Sequence, residues 1–336
     1  MTATAAPTGP NTTRNTTRNA TRNTTVAGLL QRQGAAVVLV LGAVVAWLSF
    51  PHFGSADNLR DLALQSSFLA IIALGMTFVI ISGGIDLSVG SVYALGGVLA
   101  AYGSQYGTIV AIVLPLAVCS LIGLVNGLLI ARTGMAPFIV TLATLLFARG
   151  LLLAITGEGA DTYRVEGGSP FLQLGQGKLL GIGVPVYLAL VLFGLGSVLL
   201  RRAAFGHSVF AIGGAEQSAL LMGLPVARTK IKLYVLSAAL ASFAGVLTAA
   251  YLRSGVTVIG VGTELDAISV VVIGGTLLVG GAGTIAGTLV GVLLRTLIQN
   301  VINQIGTLDA NYQTVVSGAF LLVVVVIQRL LARTRG

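Results

Sequence analysis

The run Gly75-Met76-Thr77-Phe78-Val79-Ile80-Ile81-Ser82-Gly83-Gly84-Ile85-Asp86-Leu87-Ser88-Val89-Gly90-Ser91 decides how this chain folds. An apolar helix runs into paired glycines, which release helical geometry, and Asp86 with Ser88 supplies the polar side chains that start another helix. Around this break the chain has no Asp, Glu, Lys or Arg from Leu62 to Ile85, nor from Leu87 to Ala131. About 20 apolar residues carry a helix across a bilayer, so the first interval holds one crossing and the second more than one. A carboxylate at the bilayer centre costs at least about 2.5 to 3.5 kcal/mol and faces a bundle interior or cavity. Two readings of Asp86 stand side by side: the N-cap of a helix at a short turn, or one edge of a discontinuous helix beside a transport path.

Further charge-free intervals follow outward: Gln33 to Ala56, Leu179 to Leu200, Leu233 to Leu252 and Ala267 to Leu294. Of the 336 residues 55% are apolar and 9% charged, against about 25% charged in a soluble domain. That composition predicts an all-α polytopic membrane protein, and sets aside disulfide scaffolds, nucleic-acid binders and ordinary soluble enzymes. The expectation is about ten transmembrane helices with discontinuous or re-entrant segments, near 35–50, 65–82, 87–103, 108–131, 137–156, 184–200, 231–252, 264–280, 284–303 and 312–328. Residues 1–33 read as a disordered basic cytoplasmic tail built on an Asn-Thr-Thr-Arg unit, 34–331 as the transmembrane domain, and 332–336 as a cytoplasmic C-terminal tail. With both ends inside, Arg132, Arg201, Arg202, Arg228, Lys230 and Lys232 join the tails on the cytoplasmic side, whereas Arg60, Arg164, Lys178 and Arg253 fall outside.

Two soluble stretches are long enough to have roles. The segment 157–183 is a solvated connector or a contact for an extracytoplasmic partner. The cytoplasmic segment 201–232 reads as Gly213-Gly214, a short amphipathic helix over Glu216–Met222, then Gly223-Leu224-Pro225 and a basic exit, which suits docking to a cytoplasmic protein.

No enzyme constellation stands out. His52 and His207 fall on opposite sides in this topology, lone Cys119 sits in an apolar stretch, and no metal is expected. The phosphate-binding Gly-x-x-x-x-Gly-Lys-Ser/Thr loop is absent, so nucleotide hydrolysis, if it drives this chain, belongs to another polypeptide. Gly262-Thr263-Glu264-Leu265-Asp266 through Gly274-Gly275 to Gly280-Gly281-Ala282-Gly283 repeats the grammar of carboxylate, apolar run and double glycine, and hints at an internal repeat. The substrate-pathway candidates are Asp86, Ser88, Asn126, Glu264 and Asp266, with intramembrane Arg149 and Arg295 set beside them as packing or capping groups.

The run at 75–91 resembles the hallmark of monosaccharide ABC-importer permeases, the ribose, xylose and galactoside group. Asn126-Gly127, Pro137 to Leu142, Ala211-Ile212-Gly213-Gly214, Glu264 to Ile268, Val271 to Thr276 and Gly287-Thr288-Leu289 carry the resemblance over about residues 35–330. Leu221 to Leu224, Gly274 to Leu278 and Gly306-Thr307-Leu308 look most like the galactofuranose permease. The resemblance implies an ABC-importer permease fold in the inner or plasma membrane. It also implies a cytoplasmic ABC ATPase holding ATP and Mg, an extracytoplasmic sugar-binding protein, and a second permease subunit that is a paralogue or another copy. No cofactor is expected on this chain. Gly213, Glu216, Ala219 and Gly223 match the family's ATPase-docking loop, although Glu216-Gln217-Ser218-Ala219 departs from its usual residues. An ion-coupled secondary transporter of a small polar solute is the alternative, with Asp86 or Asp266 holding the ion.

Overall fold

Helix α2 (Ala56–Ile81) and helix α10 (Val226–Leu252) form the centre of the structure, a computed structural model that describes residues 35–305 together with 315, 318 and 319. Both are enclosed along most of their length. Around them lie α1 (Ala35–Ser49), α3 (Val89–Gly103), α4 (Thr108–Thr133), α5 (Pro137–Ile155), the single turn α6 (Gln173–Gln176), α7 (Val184–Arg202), α8 (Ala204–Gly214), α9 (Glu216–Leu221), α11 (Thr263–Ile273) and α12 (Ile285–Ile305). Pro137 and Pro185 open α5 and α7, where a missing N–H costs nothing.

Among the described residues six helices, α2, α4, α5, α7, α10 and α12, are long and apolar enough to cross a membrane. Three expected crossings are shorter than a bilayer asks among the described residues. The 15 residues of α1 and of α3 each rise about 22 Å, and the 11 residues of α11 about 16 Å, against a hydrocarbon core of about 30 Å. At α11 the pair Gly274-Gly275 ends the helix early: charge-free length counts residues, whereas those after Ile273 are spent on non-helical backbone. The crossing expected at 312–328, and the tails 1–33 and 332–336, lie outside the described residues.

The outer helices bury one side and turn an apolar one outward, as at Ile109, Val113 and Leu121 of α4, Leu146 and Phe147 of α5, and Leu190 and Leu195 of α7. In a bilayer such a surface faces acyl chains. Inward, small residues bring backbones together. Gly123 and Gly127 lay α4 on α10, where added Cβ atoms would come 2.7 Å from Ala238 Cβ and 2.7 Å from Ile231 Cα. Further along the same face of α10, a Cβ on Gly96 of α3 would stand 2.8 Å from Ser242 Cα.

The segment 157–183 is folded onto the bundle rather than looping freely. Val165 N donates to Arg253 O (2.9 Å) and Gly255 N to Tyr163 O (2.9 Å). Phe171 and Leu172 are buried with Ala100, Ala101, Val246 and Ala250. The segment ends in a hairpin of β1 (Lys178–Leu179) and β2 (Ile182–Gly183) at the start of α7.

Candidate functional site

The break read in the sequence at 82–88 is present, and its geometry recurs in α11. After Ile81, Gly83 takes φ 81° and Gly84 N donates back to Val79 O (3.0 Å); after Ile273, Gly275 takes φ 90° and Thr276 N donates back to Val271 O (3.2 Å). Positive φ at the second position favours glycine, hence the repeated Gly-containing pairs. The two breaks meet. Gly281 N donates to Ile81 O (2.8 Å), and a Cβ on Gly280 would lie 2.8 Å from Gly83 N.

Asp86 does not sit at an exposed turn. Only 1% of it is accessible, and the N-cap of α3 is Ser88. Its Oδ1 accepts from Ser88 N (3.0 Å) and Ser88 Oγ (2.6 Å), closing a turn two residues long, while Oδ2 accepts from Ser237 Oγ of α10 (2.8 Å). Asn126 Nδ2 of α4 donates to Ser88 Oγ (3.2 Å), and Thr144 Oγ1 of α5 donates to Asn126 Oδ1 (2.5 Å). Ile85 O, exposed by the break, accepts from Tyr234 of α10 (3.4 Å) and Thr141 of α5 (3.5 Å). Three sequence candidates, Asp86, Ser88 and Asn126, thus join one buried network that ties α3, α4, α5 and α10 together. Ser237, Thr144 and Tyr234 are not singled out in the sequence, and Thr141 enters there only within the stretch Pro137 to Leu142. Nothing in their spacing marks them, because each sits in an ordinary apolar helix and gains meaning only from its neighbour on another.

Glu264 and Asp266 lie apart from that network. Asp266 forms an ion pair with Arg295 of α12, whose Nη1 donates to Gln299 (2.9 Å). Glu264 packs beside the first turn of α3, where a Cβ on Gly90 would run into its carboxylate. Arg149 of α5 donates to Thr257 O (2.8 Å) and Ile259 O (3.2 Å), capping the loop that leads to α11.

In the docking candidate the four residues divide. Gly213 is packed into the joint between the two breaks: a Cβ there would collide with Ile81 O and stand 2.6 Å from Gly281 N. Ala219 is buried with Ile212 and Val226. Glu216 is exposed and receives Lys230 Nζ at 2.6 Å, and Gly223, exposed, ends the turn at φ 77°. The outward surface of α9 is instead the ridge Leu220, Leu221 and Met222, each more than half exposed. At this end stand Arg132, Arg201, Arg202, Arg228, Lys230 and Lys232; the end with the hairpin has Arg60, Arg164, Lys178 and Arg253.

The family described as "Branched-chain amino acid transport system / permease component" matches residues 58–325. Similar curated proteins include the ribose import permease protein RbsC of Escherichia coli (strain K12), 38% identical over 306 residues, 90% of this chain and 95% of that protein. The inner membrane ABC transporter permease protein YjfF of the same strain is 42% identical over 300 residues, covering 87% and 89% of the two chains. The L-arabinose ABC transporter permease protein AraH of Azospirillum brasilense is 37% identical over 299 residues, 88% of this chain and 87% of that one. No solved structure matches. With apolar crossing helices broken at paired glycines and a match along most of its length, this chain belongs to the permease-component family and is a multi-pass membrane protein.

Proposed function

We propose that this chain is the membrane-spanning subunit of an ATP-driven importer of a monosaccharide, a pentose or a furanose hexose such as galactofuranose. The relatives named for ribose and L-arabinose support the substrate class. The observation that carries the coupling is the exposed Leu220, Leu221 and Met222 ridge on α9 at the more basic end. An apolar ridge beside an ion-paired Glu216 suits a groove on a cytoplasmic ATPase, which supplies the ATP and Mg sites. Charge asymmetry supports a cytoplasmic position for that end and for both termini. The opposite end then meets a sugar-binding protein, and a second permease, paralogous or identical, completes the assembly. A neutral sugar asks for hydroxyl and amide partners rather than fixed charge, which fits Ser88, Asn126 and the hydroxyls around Asp86 as pathway groups exposed when the breaks move. The ion-coupled alternative asks for an intramembrane carboxylate free to hold the ion. It is weakened because Asp86 is ringed by donors and Asp266 is paired with Arg295.

The test is gentle extraction of the tagged chain from native membranes with mass spectrometry of what co-purifies, followed by sugar uptake in vesicles. An ATPase in the complex and uptake that requires ATP are expected. The chain recovered alone, from membranes where a control ABC complex survives, with uptake that collapses with an ion gradient, would turn the assignment to the alternative.

A further inference from the structure

A cavity of about 230 Å³, lined by both charged and apolar residues, lies between the N-terminal end of α2 and the C-terminal end of α10, roofed by α6 and the β-hairpin. Its size falls just below the roughly 300 Å³ at which drug-sized pockets begin, which suits a solute no larger than one sugar ring. Asp57, Arg60 and Asp61 reach it from successive turns of α2, Lys178 from the hairpin, and Leu64 and Tyr251 from below. Asp57, Arg60, Asp61 and Tyr251 are exposed, so the cavity opens to the outside at this end of the bundle.

From this arrangement we infer that the cavity is a receiving site for a neutral monosaccharide. Acids and bases are matched on its walls: Arg60 pairs with Asp57 at 3.1 Å, while the side chains of Asp61 and Lys178 have no hydrogen-bond or ion-pair partner among the described residues. Balanced walls hold an ion weakly. A sugar hydroxyl both donates and accepts, so it satisfies a carboxylate and an ammonium together. Gln176 is already committed, donating to Tyr251 O (2.8 Å) and accepting from Arg253 Nη2 (3.0 Å), and so it fixes the wall in place. Below, the Tyr251 ring lies against Phe68 with centroids 5.8 Å apart, offering an apolar floor to the C–H face of a sugar. The site receives solute at the outer mouth, away from the buried Asp86 network; it rests on the transport reading above.

The full-length chain, assembled with its co-purifying subunits in lipid nanodiscs, is titrated with D-ribose, L-arabinose, D-galactose and L-leucine by saturation-transfer NMR. At least one sugar is expected to give a saturable signal, weakened about tenfold or more by Asp61→Asn and by Lys178→Gln, the scale of losing a hydrogen bond to a charged group. Glu166→Gln, on the same surface but outside the cavity, is expected to leave it unchanged. No sugar signal from the wild type, binding that stays within twofold in both cavity variants, or a signal from leucine alone overturns the site. Uptake separates the two claims. ATP-dependent sugar uptake together with such a binding result sinks the cavity only, whereas absence of ATP-dependent uptake for every sugar sinks the transport reading and the cavity with it.

Discussion

At the scale of single residues, Asp86 and Leu180 show opposite ways of placing a side chain where it is costly. Asp86 is buried yet receives three hydrogen bonds, two from Ser88 and one from Ser237, so its oxygens are satisfied within the protein. Asp86→Leu orphans those donors at about 1 to 3 kcal/mol each, whereas Asp86→Asn keeps an acceptor and the shape. Thermal unfolding in detergent is expected to rank wild type above the Asn variant and both well above the Leu variant; a Leu variant as stable as wild type refutes the role given to the network. Leu180 instead occupies the hairpin turn at φ 51°, 89% exposed, with Gly181 beside it at φ 80°. Such a turn favours Asn or Gly at both positions. Leu180→Asn relieves about 1 kcal/mol of backbone strain, and trypsin is expected to cut after Lys178 more slowly in that variant than in wild type.

Among elements, the contact of greatest consequence has almost no side chains in it. The α2–α3 break, the end of α8 and the α11–α12 connection touch backbone to backbone through Gly83, Gly213, Gly280 and Gly281. Because α8 runs into α9, a push on the Leu220–Met222 ridge has a short rigid route to both breaks. Gly213→Ala places a methyl against Ile81 O and Gly281 N, neither of which swings aside as a flexible side chain does. With the α9 surface unaltered, the ATPase is expected to co-purify as in wild type while uptake falls by at least about tenfold; normal uptake would remove the joint from the coupling route. Glu216→Lys acts at the surface. It turns the exposed pair with Lys230 into a repulsion of less than about 1 kcal/mol, too little to unfold the chain. Insertion should stay intact and ATP-coupled uptake should be lost, and wild-type uptake at normal levels would refute docking through this helix. Gly223→Trp, which loads a bulky side chain onto a φ of 77°, is expected to behave likewise.

For the whole molecule the question is which end faces the cytoplasm. Cys119 is fully buried, so a membrane-impermeant maleimide reads single cysteines introduced on the surface against a silent background. Leu221→Cys is expected to react in inside-out vesicles and not in intact spheroplasts, and Leu180→Cys the reverse. Opposite labelling would invert the orientation, and with it the assignment of the α9 ridge to an ATPase and the cavity to the outer mouth.

The sequence by itself determined the solvent of this protein and the places where its helices break. Charge-free length is an additive property of neighbouring residues, and a glycine at positive φ or a Ser-Asp pair acts within two or three residues of itself, so Ser82 to Ser88 was legible without any partner. It also marked Asp86, Ser88 and Asn126 as polar residues in apolar surroundings. Only the tertiary structure decided that these three share one network with Ser237 and Thr144, and that Asp266 belongs to Arg295. It alone turned Gly213 and Ala219 inward, leaving Leu220 to Met222 as the outward ridge. Such pairings join residues as much as 151 positions apart, as in Ser237 with Asp86, and depend on how closely small residues let α10 approach α3 and α4. Apolar helices of similar composition carry no mark of which neighbour they will meet; the fit of glycine against backbone makes that choice.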